Sequence, residues 1–287
     1  MSIKKFILSV SKRFVKLVFR KVKKIKFEIQ LVRIAPIIRR MQKTPDFPAS
    51  DGSALQHLEL TLRGNMETIS LLNRLFDVSS LEIVTVNGIA TGSSIEEKML
   101  ELLDENGSDK GSAHEYFPIY SRVFDSSAEP LHILEIGLGS KNKRIPSNMG
   151  KYGSPGASLR AFRDIRPGNK IYGADIDMDT LNLESDFEYI HLDQTDDASW
   201  QNLLAQVPHH SLDLLIDDGL HSPVANLRTL IYGPRLMKPG GVIVIEDIAE
   251  KAIPVWSLAA AITENLYNFE LYQCKKSYAL VIAANQR

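Results

Sequence analysis

The 287-residue chain has a single cysteine, Cys274. A lone thiol excludes an intramolecular disulfide and fits a reducing compartment. Also missing is any apolar run near the roughly 18 residues that cross a bilayer. The first apolar run, FILSV, is too short for a signal-peptide core, and no cleavage pattern follows it. Acids are scarce in one region: residues 1–43 carry 14 Lys and Arg against one acid, Glu28. The net charge of −1 hides this, because the residues after 43 sum to −14. Such a split reads as a basic arm, residues 1–43, on an acidic body.

The arm has helical periodicity. Ile3, Phe6, Ile7, Val10, Phe14, Leu17, Val18, Ile25, Ile29 and Val32 share one face at 3.6 residues per turn. Lys5, Lys12, Lys16, Arg20, Lys23 and Lys26 fall mostly opposite, and Lys21 interrupts the apolar stripe. Pro36 ends or bends the helix. This pattern suits a helix lying on an anionic membrane surface, and equally one docked on the acidic body or on a second subunit. A cytoplasmic protein, peripheral on the inner face of the membrane where the arm binds lipid, is the expectation.

Residues 44–106 read as a linker and an auxiliary cap. TPDFPASDGSA (44–54) is rich in turn formers, and residues 55–78 have helical spacing weakened by Gly64. A strand at 80–88 and a helix from Ser94, with Glu97 completing a capping box, follow. Tyr116, Tyr120 and Phe124 then recur every four residues, as on one helix face, a spacing that core packing explains. Lys110, in the polar turn Asp109-Lys110-Gly111-Ser112, could face a ligand carboxylate.

The body is organised around LHILEIGLGS (131–140). A short apolar run leading to Glu135, Gly137 and Gly139 is a buried parallel strand feeding a loop and a helix. Strands at 170–174, 188–192, 212–216 and 242–245 alternate with helices at 157–165, 197–206, 223–233 and 254–266. Two further strands, 269–273 and 278–283, close the chain. The alternation predicts an α/β fold, a parallel sheet with helices on both faces and ligands beyond the carboxyl ends of the strands. Five strands end in acids: Glu135, Asp175, Asp193, Asp217-Asp218 and Glu246-Asp247. That much negative charge at one mouth calls for a cation or for donors on a ligand.

DKGS…YF..Y, LEIG.G, SLR.F, YG.D, DQ.D, IDDG.H and PGG…IED, in that order, resemble the class I S-adenosylmethionine-dependent methyltransferases. Among these they are similar to the macrolide-sugar O-methyltransferases and the cephalosporin-hydroxylase-like methyltransferases. The match covers about residues 107–284 and supports a domain at 107–287. The glycine loop lacks the third glycine of a dinucleotide fingerprint, which speaks against NAD. The resemblance implies a doubly wound Rossmann-like sheet, mostly parallel with an antiparallel C-terminal strand. It implies S-adenosylmethionine as cofactor, Mg²⁺ beside it, and a sugar, glycosylated natural product or surface glycan as the hydroxyl acceptor. It assigns Glu135, Gly137 and Gly139 to the methionine part of the cofactor and Asp175 to its ribose, with Asp177 as the alternate. Asp193 and Gln194 fall on the adenine side. Asp218, Glu246 and Asp247 match the family's divalent-cation ligands, and Asp217 is either a fourth acid or a cofactor contact. His221 resembles the general base. His209 and His210 are given no role. No nucleic acid is expected as partner, and a homo-oligomer is compatible with the arm. Two other classes compete: a same-fold enzyme without methyl transfer, such as an aminopropyl transferase, and a non-catalytic membrane- or nucleic-acid-binding protein.

Overall fold

The computed structural model describes residues 67–145 and 147–285. The basic arm and the first linker lie outside them. Ile69–Arg287 form one compact unit.

Eight strands make one sheet: β1 (Ile83–Thr85), β2 (His132–Ile136), β3 (Lys170–Asp175), β4 (Glu188–His191), β5 (Leu212–Asp217), β6 (Met237–Ile248), β7 (Tyr267–Gln273) and β8 (Tyr278–Ala284). Their spatial order is β1-β7-β8-β6-β5-β2-β3-β4. All neighbours pair parallel except β8, which runs antiparallel to both β6 and β7. Helices among the described residues include α1 (Ser94–Glu105), α2 (Phe117–Asp125), α3 (Ala157–Ile165), α4 (Asp197–Gln206), α5 (Pro223–Tyr232) and α6 (Ile253–Thr263). The strands and helices of the core fall where the hydrophobic pattern puts them, within a few residues at their ends.

Alternation along the strands sorts side chains into two cores. Ile133, Leu214, Ile216 and Val244 face α1, α2 and α3, joining Met99, Leu103, Tyr120 and Phe162. Leu134, Leu215, Ile243 and Ile245 face the other way, with Trp200 of α4 and Trp256 of α6. Burying whole aliphatic and aromatic side chains at about 1.5–3 kcal/mol each is the main drive for both layers.

The region before residue 107 corrects one expectation. β1 pairs parallel with β7, Ile83 opposite Leu271, and α1 buries Met99 and Leu103 completely. The sheet domain therefore begins well ahead of residue 107, and this segment is part of its edge and its helical layer. The capping box is also one residue earlier than read. Ser93, not Ser94, accepts from the Glu96 amide, while the Glu96 carboxylate accepts from Thr91 N at 2.6 Å. The Ser-Ser pair made the two registers equivalent on paper.

Strand order reverses between β2 and β5: β3 and β4 extend one way from β2, while β5 and β6 extend the other. Loops leaving the carboxyl ends of β2 and β5 must diverge there, which opens a crevice.

Candidate active site

That crevice is a cavity of about 720 Å³. Its walls are the loop after β2, the ends of β3 and β4, the loop after β5 and Asp247. Gly137 sets how close the first loop comes to the third. Its φ is +91°, and a Cβ there would stand 2.2 Å from the Asp218 carbonyl oxygen. Only glycine meets both conditions. Gly139 (φ +83°) needs glycine for its backbone, and it lies against the flexible end of the Met149 side chain.

Beneath the cavity one lysine gathers three acids. Lys110 is 2% exposed, and its Nζ lies 2.5 Å from Asp218 Oδ2, 2.7 Å from Glu246 Oε2 and 3.3 Å from Glu135 Oε1. Ser158 donates to both oxygens of Glu135, and the Tyr120 hydroxyl donates to Glu246 Oε1. Burial alone would pull the Lys110 ammonium down, but the charges of Asp218, Glu246 and Glu135 hold it well above the usual lysine value. Burial also dominates the acids. It pushes Glu246 up to about 7 against the pull of Lys110, and raises Glu135 and Asp218 in the same direction. A buried cation shared by three carboxylates leaves the cluster short of positive charge.

Nearer the mouth, Asp218, His221 and Asp247 each offer a ligand atom, all within 4.8 Å of one another. Period two along β6 would send Asp247 to the opposite face from Glu246. It reaches the site because β6 carries a bulge between Ile245 and Ile248 and because Asp247 adopts φ +52°. Tyr116 and Ser277 each donate to Asp247 Oδ1 at 2.8 Å, and His114 Nδ1 lies 3.6 Å from the same oxygen. Burial raises the Asp247 carboxyl, but the Ser277 and Tyr116 hydrogen bonds and the nearby histidines outweigh it, so the group sits below its usual range.

The structure brings most of the sequence-derived site residues together and sets some apart. Lys110, Glu135, Gly137, Gly139, Asp175, Asp193, Gln194, Asp218, His221 and Asp247 all line the cavity. Asp175, raised by burial, accepts from Leu138 N and Asp177 N, so it fixes the glycine loop as well as facing the cavity. Asp193 accepts from Thr195. Asp177 does not line the cavity; its carboxylate takes the Ser140 hydroxyl. Asp217 corrects the reading of it as a cofactor contact or fourth acid. It is fully buried on the α5 side of the sheet, where Gln194, Asn226 and Thr229 donate to it. The strand's alternation separates it from Asp218. Glu246 also differs from its reading as one of three metal-facing acids. Both its oxygens are taken, by Lys110 and Tyr120, and it is 1% exposed. The position near Asp218 and Asp247 that it was expected to fill is held by His221.

Sequence reasoning missed Tyr116, Tyr120, His114, Ser158 and Ser277. For the two tyrosines the signal was present: a four-residue repeat carrying hydroxyls, just after Lys110, needs polar partners once buried. Nothing in the sequence marks Ser277, which arrives from the turn between β7 and β8.

This sheet order, with its glycine loop and single reversed strand, is the fold of the class I S-adenosylmethionine-dependent methyltransferases. The macrolide-biosynthesis enzyme MycE, in a complex with Mg and S-adenosylhomocysteine, superimposes on 66% of the chain and 56% of its own, with TM-score 0.52 and 26% identity. In sequence the chain is similar to sugar O-methyltransferases of antibiotic pathways. It is 34% identical over 145 residues to mycinamicin VI 2''-O-methyltransferase of Micromonospora griseorubida, covering 48% of this chain and 32% of that protein. It is 30% identical over 154 residues to 8-demethyl-8-alpha-L-rhamnosyl tetracenomycin-C 2'-O-methyltransferase of Streptomyces olivaceus, covering 53% and 38%. The chain thus spans under two fifths of the length of these curated relatives. No family model matches it. Among the described residues no helix is long and apolar enough to cross a membrane.

Proposed function

We propose that the chain is an S-adenosylmethionine-dependent O-methyltransferase acting on a sugar hydroxyl, with Mg²⁺ bound beside the cofactor. The observation that carries this reading is the joint placement of a glycine cradle and of the Asp218, His221 and Asp247 cluster on one cavity. Gly137 and Gly139 let the loop after β2 pack against Asp218 and Met149 at the cavity wall, and the cavity volume suits a cofactor of that size. Two carboxylates at the mouth fit a hard cation, whereas imidazole is a poor ligand for one.

The cofactor supplies an activated methyl group, and a cation held by Asp218 and Asp247 would acidify and orient the acceptor hydroxyl. The chain's own residues do the rest. The Gly137–Gly139 backbone and Asp175 hold the donor. His221 takes the proton from the acceptor hydroxyl as its oxygen bonds to the methyl carbon, while the methyl–sulfur bond breaks and S-adenosylhomocysteine leaves. Lys110 prevents Glu135, Asp218 and Glu246 from repelling one another when the site is empty of ligand. Because displacement of this kind needs mainly alignment, a rigid pocket suffices.

Calorimetry with S-adenosylhomocysteine, NAD and decarboxylated S-adenosylmethionine tests the cofactor. Selective binding of the first is expected, and preference for either of the others would overturn the reading. Turnover on glycosides should vanish in EDTA and return with Mg²⁺; full activity in metal-free enzyme would remove the cation.

A further inference from the structure

The cavity and its rim carry opposite charge. Glu135, Asp175, Asp193, Asp218 and Asp247 line the interior, and Lys110 is the one lysine or arginine among the described lining residues. Residues 140–156 form one wall, contributing Ile145, Ser147, Asn148 and Met149. This segment contains Lys141, Lys143, Arg144 and Lys151 and no acid. All four are exposed, and among the described residues none has a carboxylate within ion-pairing distance. Partly buried cations such as Arg228, Lys170 and Arg163 are paired, while exposed Arg74, Lys251 and Lys276 are unpaired among the described residues. What sets residues 140–156 apart is four cations and no acid on one loop beside the cavity.

The cations sit on a tethered loop. Met149 N donates to Ser140 O at 2.9 Å and Gly156 N to Leu138 O at 2.8 Å. Asn142 N and Arg144 N bond the Ser140 hydroxyl and the Asn142 side chain. Lys141, Lys143 and Arg144 are therefore exposed on a tied loop, between Ser140 and Ile145, which line the cavity. The proposed cofactor gives them little to do, since it carries a sulfonium and an ammonium against one carboxylate. An unpaired basic rim over an acidic floor is complementary to a second ligand of the opposite charge.

We infer that the acceptor is a sugar bearing a phosphate or diphosphate ester. Its phosphate oxygens lie against Lys141, Lys143 and Arg144 while a sugar hydroxyl enters the cavity. The guanidinium of Arg144 matches two phosphate oxygens at once, and the lysines act as point charges. This inference rests on the O-methyltransferase reading and narrows its substrate. The phosphate could belong to a soluble glycosyl phosphate or to the headgroup of a phosphorylated glycolipid.

The test uses the full-length chain and titrates α-D-glucose 1-phosphate, methyl α-D-glucoside and vesicles containing phosphatidylinositol 4-phosphate, at low and high salt. A phosphate-bearing probe should bind at least about tenfold more tightly than the neutral glycoside at low salt. Lys141→Ala/Lys143→Ala/Arg144→Ala should erase that preference with S-adenosylhomocysteine affinity unchanged, which also reports that the variant is folded. Arg144→Glu alone should weaken phosphate binding more than Arg144→Ala. A loss seen with glucose 1-phosphate assigns a soluble acceptor; a loss confined to vesicles assigns a lipid headgroup, since the basic arm is intact in both proteins. Equal binding of both phosphate probes by wild type and triple variant would overturn the inference. So would tighter binding of single-stranded RNA through the same three residues. Failure of wild type to bind S-adenosylhomocysteine would instead sink the methyl-transfer reading, and the phosphate comparison could still be read without it.

Discussion

His221 Nε2 stands 3.8 Å from Asp247 Oδ2, and both residues hold left-handed backbone, with φ +49° and +52°. Each is a departure costing on the order of 1–3 kcal/mol for a residue with a side chain. They come from different strand ends, one past β5 and one within the β6 bulge, and they meet over the same cavity. Two left-handed residues thus converge on one cavity, and Tyr116 and Ser277 hold the Asp247 side of the pair.

His221→Asn tests the base. Asparagine tolerates left-handed backbone better than alanine does, so loss of the proton acceptor is separated from loss of the turn. Turnover should fall roughly 10²–10⁴-fold while calorimetric affinity for S-adenosylhomocysteine stays within about twofold of wild type. Near-normal turnover would place the base elsewhere.

Gly137→Ala tests the cradle. The new methyl meets the Asp218 carbonyl and forces an alanine to φ +91°. A loss of about 1–3 kcal/mol in stability from the backbone alone is expected, with cofactor binding weakened further because the two loops must separate. Urea unfolding and calorimetry read the two effects independently.

The buried acids make stability fall as pH rises. Glu246 is pushed up to about 7, so the folded chain keeps a proton there that the unfolded chain has released. Its contribution is complete below the ordinary carboxylate range and is lost as pH rises through about 7. Glu135, Asp218 and Asp175 are shifted in the same direction, whereas Asp247 is shifted down and loses its contribution only in acid. The urea midpoint should therefore be higher near about pH 5.5 than near about pH 8. Glu246→Gln, nearly the same shape, should flatten that slope.

Tyr120→Phe removes one hydroxyl and keeps the ring that packs edge-on against Phe162 at 5.3 Å. Glu246 then loses its phenolic donor and retains only Lys110. A destabilisation of about 1–3 kcal/mol, the size of an unsatisfied buried acceptor, is expected. Tyr116→Phe should cost less, because Ser277 still donates to Asp247. Equal effects would mean that the two acids share their donors differently from this arrangement.

Most of the sheet was legible because alternation and turn residues act locally. LEIG, YGAD and LLID belong to short apolar runs with an acid at or next to the end, and each lies in a strand of the parallel core. The division of labour among the acids was not legible. Asp217 and Asp218 are adjacent letters, yet pleating sends one to α5 and the other to Lys110. Asp247 breaks the same rule through a bulge that no local pattern announces. Glu246 was read as facing a metal because its type and position matched; what decided its surroundings was Lys110, 136 residues away. The Ser93 cap was missed by one residue because two serines stand side by side.

The turn between β7 and β8 is tied to the mouth of the site. Tyr116 and Ser277, 161 residues apart, meet on Asp247, and β8, which follows the turn that carries Ser277, lies between β7 and β6. On the ribosome, a nascent chain stopped anywhere before that turn has β6 with an open edge and Asp247 without the Ser277 donor. The glycine loop and Lys110 can be in place while the mouth is still unfinished. The mouth of the site therefore depends on a contact between residues far apart in sequence, and it cannot be complete before the turn between β7 and β8 has been made.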